Sequence, residues 1–249
     1  MISVADALAA LFDLVTPMDI EEVALTDAAG RTLARPLQAR RDQPPFSASA
    51  MDGYALRSGD VALGAKLEVI GESAAGHGFD GTVDAGQVVR IFTGAPLPAG
   101  ADRVVIQEDV TRTGDRITIT DHPSDNHNVR PLGADFRIGD TLAAPRVLTP
   151  SDVALIAAMN IARVPVTRRP IVAIIATGDE LVQPGETPGV DQIIASNSYG
   201  LHALVTAAGA EARLLPIAGD DLDEIRQVFD LARGADLILT IGGASVGDH

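Results

Sequence analysis

The sequence predicts a multidomain protein in which a β-rich region precedes a parallel α/β region. Two features of the chain support this prediction. Between residues 46 and 144, short β-prone runs alternate with closely spaced Gly and Pro residues, as in small all-β domains. From Ile171 onward, three apolar runs alternate with two helical segments, which is the pattern of a βαβαβ unit with right-handed crossovers and a parallel sheet.

The N-terminal segment is predicted to be a helix followed by a short strand. Ser3 and Asp6 resemble a capping box, with Asp at the position where Glu or Gln is usual. Pro17 ends the helix, whose apolar face carries Val4, Leu8, Leu11 and Val15. Residues 20–25 are β-prone, and residues 27–30 are expected to turn.

The middle of the chain is predicted to begin at a linker and to be mostly β. Pro44 and Pro45 exclude a helix interior or a central strand at residues 41–46. The β-prone runs that follow are residues 67–70, 87–92, 104–108 and 116–120. Beyond them, Thr149 to Asp152 indicate a helix start, and residues 164–166 a short strand.

The α/β region is predicted from its apolar runs and helix signals. Residues 171–176 form a continuous apolar run, typical of a strand buried on both faces. Ser196 is expected to cap a helix that runs to Ala208, where Gly209 fits the C-terminal stop. Asp220 and Asp221 are expected to open a second helix, and the two remaining strands are residues 212–217 and 237–241.

Composition excludes several classes of function. The chain has 249 residues, no Cys and a net charge of −15. The lack of Cys excludes disulfides and thiolate metal sites and fits a cytoplasmic location. The negative charge argues against nucleic acid or an anionic membrane as the main partner. The N-terminus has no basic lead typical of a secretory signal, and no apolar stretch is long enough for a membrane helix.

Five segments are candidates for functional chemistry, and each also has a plain structural interpretation. The Gly-rich residues 242–248 follow a buried strand and suit an anion, or are an ordinary turn. Asp179 and Glu180 suit Mg²⁺ at the carboxyl edge of the sheet, or lie in a solvated acidic loop. Asn197 contacts a polar ligand there or helps to cap the helix. Residues 49–55 and 93–96 are by themselves most simply turns.

Taken together, six motifs resemble the molybdopterin molybdenumtransferase family. In chain order they are Pro45-Phe46 with Ser49–Ala55, Thr93–Pro96, Asn128–Arg130 with Gly133 and Asp135, Thr177–Leu181, Ser196-Asn197 and Gly242–Asp248. The resemblance spans essentially the whole chain. It implies an enzyme that inserts molybdate into adenylylated molybdopterin in molybdenum cofactor biosynthesis, with Mg²⁺-dependent pyrophosphate cleavage and release of AMP. It also implies partners among the proteins of that pathway.

The resemblance also implies a domain arrangement and a dimer. An elongated, mixed first domain would comprise residues 1–44 and 143–170, and an inserted β-rich second domain residues 45–142. A parallel α/β, molybdopterin-binding third domain would begin at residue 171 and be incomplete at residue 249, which leaves apolar sheet surface exposed. The family forms homodimers whose active site lies between the third domain of one subunit and the second domain of the other.

The family's roles are carried over to matching positions of this chain. The residues expected to hold the phosphate or pterin are Asn197, Gly242, Gly243, Ser245 and Asp248. Glu180 and Asp248, with Asp179 beside them, would place Mg²⁺. The residues expected to act in catalysis are Asp52, Thr93, Asp135, Asp179 and Glu180, the first three contributed by the opposite subunit.

The negative charge of residues 171–249 suggests that a partner subunit contributes basic residues to the binding of anionic substrates. Residues 171–249 contain three arginines and twelve acidic residues, a net charge of −9. A polyanion site there needs a divalent cation, backbone N–H donors or basic residues from elsewhere. The second-domain region offers Arg57, Arg90, Arg103, Arg130 and Arg137.

Several positions depart from the family pattern, and two other functions stay open. The departures are Ala195 for Asp, Ala244 for Val, His249 for an aromatic residue, and Pro131-Leu132 where the family is usually basic. One alternative is a metal-dependent hydrolase acting on another pyrophosphate compound. The second is a non-catalytic binding or scaffold protein, because relatives of the family anchor other proteins.

Overall fold

The computed structural model describes residues 2–122 and 125–242. In this part of the chain the helices are α1 (Val4–Leu14), α2 (Pro150–Ala158), α3 (Ser196–Ala207) and α4 (Leu222–Leu231). The strands are β1 (Ile20–Ala24), β2 (Thr32–Leu33), β3 (Leu37–Gln38), β4 (Ala48–Ser49), β5 (Gly53–Leu56), β6 (Lys66–Ser73), β7 (Gln87–Ile91), β8 (Arg103–Ile106), β9 (Val110–Thr113), β10 (Arg116–Ile119), β11 (Val129–Arg130), β12 (Thr141–Leu142), β13 (Arg146–Val147), β14 (Arg163–Thr167), β15 (Ile171–Ala176), β16 (Leu181–Val182), β17 (Ile193–Ile194), β18 (Glu211–Leu214) and β19 (Leu237–Ile241).

The chain divides into two compact units. The first contains the residues up to Arg35, residues 144–153 and the residues from Arg163 on. The second contains residues 36–143 and 154–162. The division into three domains implied by the family resemblance stays a prediction.

The first unit contains an antiparallel sheet with strand order β1-β14-β2-β13. The buried Arg31 links two strands of this sheet. It forms an ion pair with Glu21 on β1 and donates to the Thr167 carbonyl on β14 at 3.0 Å. The N-terminal helix is as predicted, because the Ser3 hydroxyl accepts the Asp6 N–H at 3.1 Å. None of the residues of α1 is buried, so its apolar face is exposed.

The first unit also contains the predicted parallel sheet. Its strand order is β18-β15-β19, and the central strand β15 pairs in parallel with both neighbours. Right-handed crossovers in this order place α3 and α4 on opposite faces. Val228 of α4 packs on Ala173 and Ile175, which confirms that β15 is covered. At the edge strand β19, Leu237 and Ile238 are exposed.

The second unit is built on a six-stranded mixed sheet with order β8-β5-β7-β6-β10-β9. All four residues of β5 are buried. Tyr54 and Leu56 belong to the core on one face of the sheet, and Ala55 belongs to the core on the other. The β-rich character predicted for this region is confirmed, and β5 lies in its interior.

Three local predictions need correction. The strand expected at residues 104–108 ends at Ile106, because residues 107–109 form a 3₁₀ turn. Ser196 is the first residue of α3, and Ala195 occupies the cap position without a side-chain hydrogen bond. The turn expected at residues 49–55 is confined to residues 50–52, because β4 ends at Ser49 and Gly53 already pairs in β5.

Residues 41–46, expected to be a linker, are fastened to the second unit. The Gln43 N–H donates to the Phe136 carbonyl at 2.9 Å, and Pro44 is buried. Among the described residues, no helix combines the length and apolarity needed to cross a bilayer.

Candidate active site

The carboxyl ends of the parallel strands are joined by backbone hydrogen bonds. The Thr177 N–H, directly after β15, donates to the Ile241 carbonyl at the end of β19 at 3.0 Å. The Gly178 N–H donates to the Ala218 carbonyl, also at 3.0 Å. The loop after Thr177 and the Gly242 loop therefore begin at the same edge of the sheet, where ligands bind in open α/β folds.

Two glycines allow close backbone contacts at this edge. Gly178 has a φ of +142° and Gly242 a φ of +117°, backbone angles that residues with a Cβ rarely adopt. A Cβ on Gly242 would lie 2.6 Å from the Thr177 carbonyl oxygen. A Cβ on Gly178 would overlap the Glu180 carboxylate, which is folded back over its own loop.

The Asp179 carboxylate accepts a hydrogen bond from the loop that follows β18. Its Oδ1 accepts the Asp220 N–H at 3.0 Å. The adjacent Gly219 N–H donates to Glu224 Oε2 at 2.9 Å. Asp179 and Glu180 are both exposed, so the predicted pair belongs to a wider acidic group at this edge.

Sequence reasoning missed the contribution of Asp220 and Glu224 to this group. Asp220 and Asp221 were interpreted only as helix openers, and Asp221 does cap α4 by accepting the Asp223 and Glu224 N–H groups. The signal that singles out Asp179 also applies to Asp220, because both follow the carboxyl end of a parallel strand.

Asn197 lines a small cavity at the same edge. The cavity, of about 100 Å³, lies between the first turn of α3 and the strand ends at Ala176 and Ile241. Ala195 and Ser198 contribute to its wall. The structure therefore brings together Asp179, Glu180, Asn197 and Gly242 at one edge of one sheet.

The remaining predicted residues of this site, Gly243, Ser245 and Asp248, lie outside the described residues. Within residues 2–122 and 125–242, no group of three or more His, Asp or Glu side chains has the arrangement of a metal site. The expected Mg²⁺ ligands Glu180 and Asp248 are thus described only in part.

In the second unit, Asp52 and Thr93 form a hydrogen-bonded pair. Asp52 Oδ1 accepts both the Thr93 N–H and the Thr93 hydroxyl, each at 2.8 Å. These two hydrogen bonds, backbone first, hold the pKa of Asp52 below its usual range against the opposing effect of burial, and the charge of Arg90 lowers that pKa further.

Asp135 forms a separate pair with Arg130. Arg130 Nη2 lies 2.6 Å from Asp135 Oδ1, and both side chains are about half exposed. The Asp135 N–H donates to the Gln43 carbonyl at 2.8 Å, which fixes the backbone beneath the carboxylate. Asp52 and Asp135, both predicted catalytic residues, thus each have a polar partner in the second unit.

Two family models match the chain. Residues 2–160 match the model described as "MoeA N-terminal region (domain I and II)". Residues 173–249 match the model described as "Probable molybdopterin binding domain".

Curated relatives and a solved structure agree with these matches. The molybdopterin molybdenumtransferase of a Nostoc species is 39% identical over 100% of this chain and 60% of its own length. That of Haemophilus influenzae is 37% identical over 96% of this chain and 60% of its own length. The molybdopterin biosynthesis MoeA protein of Pyrococcus horikoshii superimposes with a TM-score of 0.86 at 34% identity, covering 96% of this chain and 65% of the other. The chain therefore spans about 60% of the length of these curated relatives.

Proposed function

Because the chain belongs to the MoeA family of molybdopterin molybdenumtransferases, we propose that it acts in molybdenum cofactor biosynthesis. The proposed reaction is the insertion of molybdate into adenylylated molybdopterin, with cleavage of the pyrophosphate and release of AMP. The observation that supports it most strongly is the meeting of Asp179, Glu180, Asn197 and Gly242 at the carboxyl edge of a parallel sheet.

The phosphate and pterin groups of the substrate would bind at the Gly242 edge. Gly242 carries no side chain and approaches Thr177 closely. The family resemblance implies that backbone N–H groups of the glycine-rich segment would bind the anion. Asn197, at the cavity wall, would hydrogen-bond a polar edge of the ligand. Gly243, Ser245 and Asp248 belong to this proposal through the family resemblance.

The side chains at this edge fit Mg²⁺. Carboxylate oxygens are its preferred protein ligands, and within the described residues neither Asp179 nor Glu180 forms an ion pair. Glu180 and Asp248, with Asp179, would hold the ion. A bound Mg²⁺ neutralises charge on the pyrophosphate oxygens.

Asp52, Thr93 and Asp135 would complete the site from the second subunit of a homodimer. Asp52 is fixed as a carboxylate by Thr93, which suits a group that holds a polar atom of the substrate in place. The exposed apolar face of α1 favours association with another protein surface, which is consistent with a dimer.

Arginines of the second unit would offset the charge of the substrates. Arg130 is half exposed although it pairs with Asp135. Residues from Ile171 on contribute only three arginines, so a basic group from a partner subunit would strengthen binding of two anions. The cytoplasm is the proposed location, because a chain without Cys needs no oxidising compartment to form disulfides.

The reaction is tested by incubating the chain with adenylylated molybdopterin, Mg²⁺ and molybdate and following AMP release. The proposal expects AMP release that requires molybdate and yields cofactor able to activate an apo-molybdoenzyme. AMP release without molybdate would favour the hydrolase, and ligand binding without AMP release would favour the scaffold.

A further inference from the structure

Arg90 lies between two aromatic rings beside the Asp52–Thr93 pair. It stands opposite Tyr54 in the pairing of β5 with β7. Its guanidinium carbon is 5.1 Å from the centre of the Tyr54 ring and 4.8 Å from that of Phe92. Stacking on two rings limits the rotamers of a long side chain and so fixes the direction of its donors.

Arg90 holds the backbone that follows Asp52 at two points, once directly and once through Gln107. Arg90 Nη1 donates to the Gly53 carbonyl at 3.1 Å. Arg90 Nη2 donates to Gln107 Oε1 at 2.7 Å. The Gln107 N–H in turn donates to the Asp52 carbonyl at 3.0 Å. Arg90 therefore holds the Gly53 carbonyl directly and the Asp52 carbonyl through Gln107, which fixes the two successive peptide units that follow the Asp52 side chain.

The same residue also fixes the segment that carries Thr93. Ile91, the last residue of β7, is fully buried and lies between Arg90 and Phe92 in the chain. Thr93 is the residue after Phe92. Contact with the Phe92 ring and pairing with Tyr54 join the two strand ends from which Asp52 and Thr93 arise.

We propose that Arg90 is a positioning residue that aligns the Asp52 carboxylate with Thr93. The inference rests on the proposed function, which places Asp52 at the reacting groups, and it assigns to Arg90 a role that acts through Asp52. A fork with two donors is needed, because Gly53 and Gln107 are bound by different nitrogens. Lysine supplies a single donor centre and cannot make both contacts in the same geometry.

The test follows the backbone N–H resonance of Thr93 in the 249-residue chain during an acid titration. This N–H bonds the Asp52 carboxylate, so its shift reports both the hydrogen bond and the protonation of Asp52. In Arg90→Lys, which keeps the charge, we expect a smaller shift change and a midpoint moved upward toward the ordinary aspartate value. Gln107→Ala removes one of the two acceptors of Arg90. It should also reduce the change in the Thr93 N–H shift and raise the titration midpoint, but by smaller amounts than Arg90→Lys.

Two controls separate positioning from general destabilisation. Arg112→Lys makes the same change on β9, where the arginine donates to the Gly114 carbonyl, and Ile117→Val thins the core of the same sheet. Both should leave the Thr93 titration unchanged. An unchanged titration in folded Arg90→Lys and in Gln107→Ala would overturn the proposal, as would equal shifts in the controls.

The titration needs no substrate, so it distinguishes this inference from the proposed reaction. If the wild-type chain shows no molybdate-dependent AMP release but the Thr93 titration responds as expected, the function fails and the positioning role stands. If both hold, Arg90→Lys should lower turnover about 10- to 100-fold, the effect of a small misplacement of a reacting group.

Discussion

Asp52 and Thr93 come from separate strand ends, and a single carboxylate oxygen of Asp52 accepts both the N–H and the hydroxyl of Thr93 at 2.8 Å. Among the described residues no hydrogen bond to the second Asp52 oxygen is found, and this oxygen is the one that we expect to face a ligand. This pair is the best-defined part of the proposed site in the second unit.

Removal of the Thr93 hydroxyl should weaken the hold on Asp52. In Thr93→Val the backbone hydrogen bond stays and the side-chain hydrogen bond is lost, so the pKa of Asp52 should rise part of the way to its ordinary value. Carboxyl-carbon NMR titration measures this change. Thr113→Val, on the exposed edge strand β9, is the matched control, and an equal rise there would refute the assignment.

Glu180 should be essential for turnover but not for folding. Glu180→Gln removes a hard anionic ligand at an exposed position, so molybdenum insertion should fall about 100-fold or more while the unfolding transition stays in place. Asp191→Asn, in the exposed loop that follows, serves as control. Full activity of Glu180→Gln would remove this residue from the proposed site.

Arg130 should contribute to binding of the anionic substrate. Arg130→Ala breaks a half-exposed ion pair with Asp135, which costs the fold little, but it should weaken binding of adenylylated molybdopterin about tenfold. Titration calorimetry compares it with Arg112→Ala. Equal affinities of the wild type and Arg130→Ala would contradict the charge argument.

Gly53 should tolerate no larger residue. A Cβ there would overlap the Val105 carbonyl of the neighbouring strand, so Gly53→Ala should lower the free energy of unfolding by about 3 kcal/mol. Gly59→Ala, where no atom lies within 4 Å of the added Cβ, should change it by less than about 0.5 kcal/mol. Urea denaturation measures both, and similar values for the two variants would contradict the packing argument.

The Arg168–Asp236 pair should make the chain sensitive to acid. Hydrogen bonds from Arg168, and then from the Ile171 N–H, lower the pKa of Asp236 to about 2. A lowered pKa stabilises the fold above the ordinary aspartate value of about 4 and loses that effect as the pH falls toward 2. In Asp236→Asn this part of the acid dependence should disappear. Asp230→Asn, whose partner is the exposed Arg233, should retain it in urea denaturation between pH 7 and pH 2.

The parts of the fold that sequence could predict are those set by local pattern. β15 is a continuous apolar run because this parallel strand is covered on both faces, so its composition alone identifies it. Likewise, Asp221 caps α4 through its own near neighbours. The carboxyl-edge position of Asp179 and Asn197 followed from the order of these elements.

The parts that sequence could not predict depend on contacts between distant segments. β5 is short, and its first residue, Gly53, follows Asp52 in an Asp-Gly pair that is a turn signal. Its buried position comes from pairing with β7 and β8, more than 30 residues away. The pairing of Asp52 with Thr93 and the role of Arg90 follow from that sheet. Nothing local to these residues distinguishes them from exposed turn residues.

The central claim, a composite transferase site shared between subunits, is tested most directly by mixing two inactive variants. Asp52→Asn and Glu180→Gln are co-expressed with different tags, and molybdate-dependent AMP release is measured on the mixture and on each variant alone. With random pairing, half of the dimers carry one intact composite site, so activity should return to roughly a quarter of the wild-type value. Activity no higher than that of the separate variants, with heterodimers present and the wild type active, would contradict the claim.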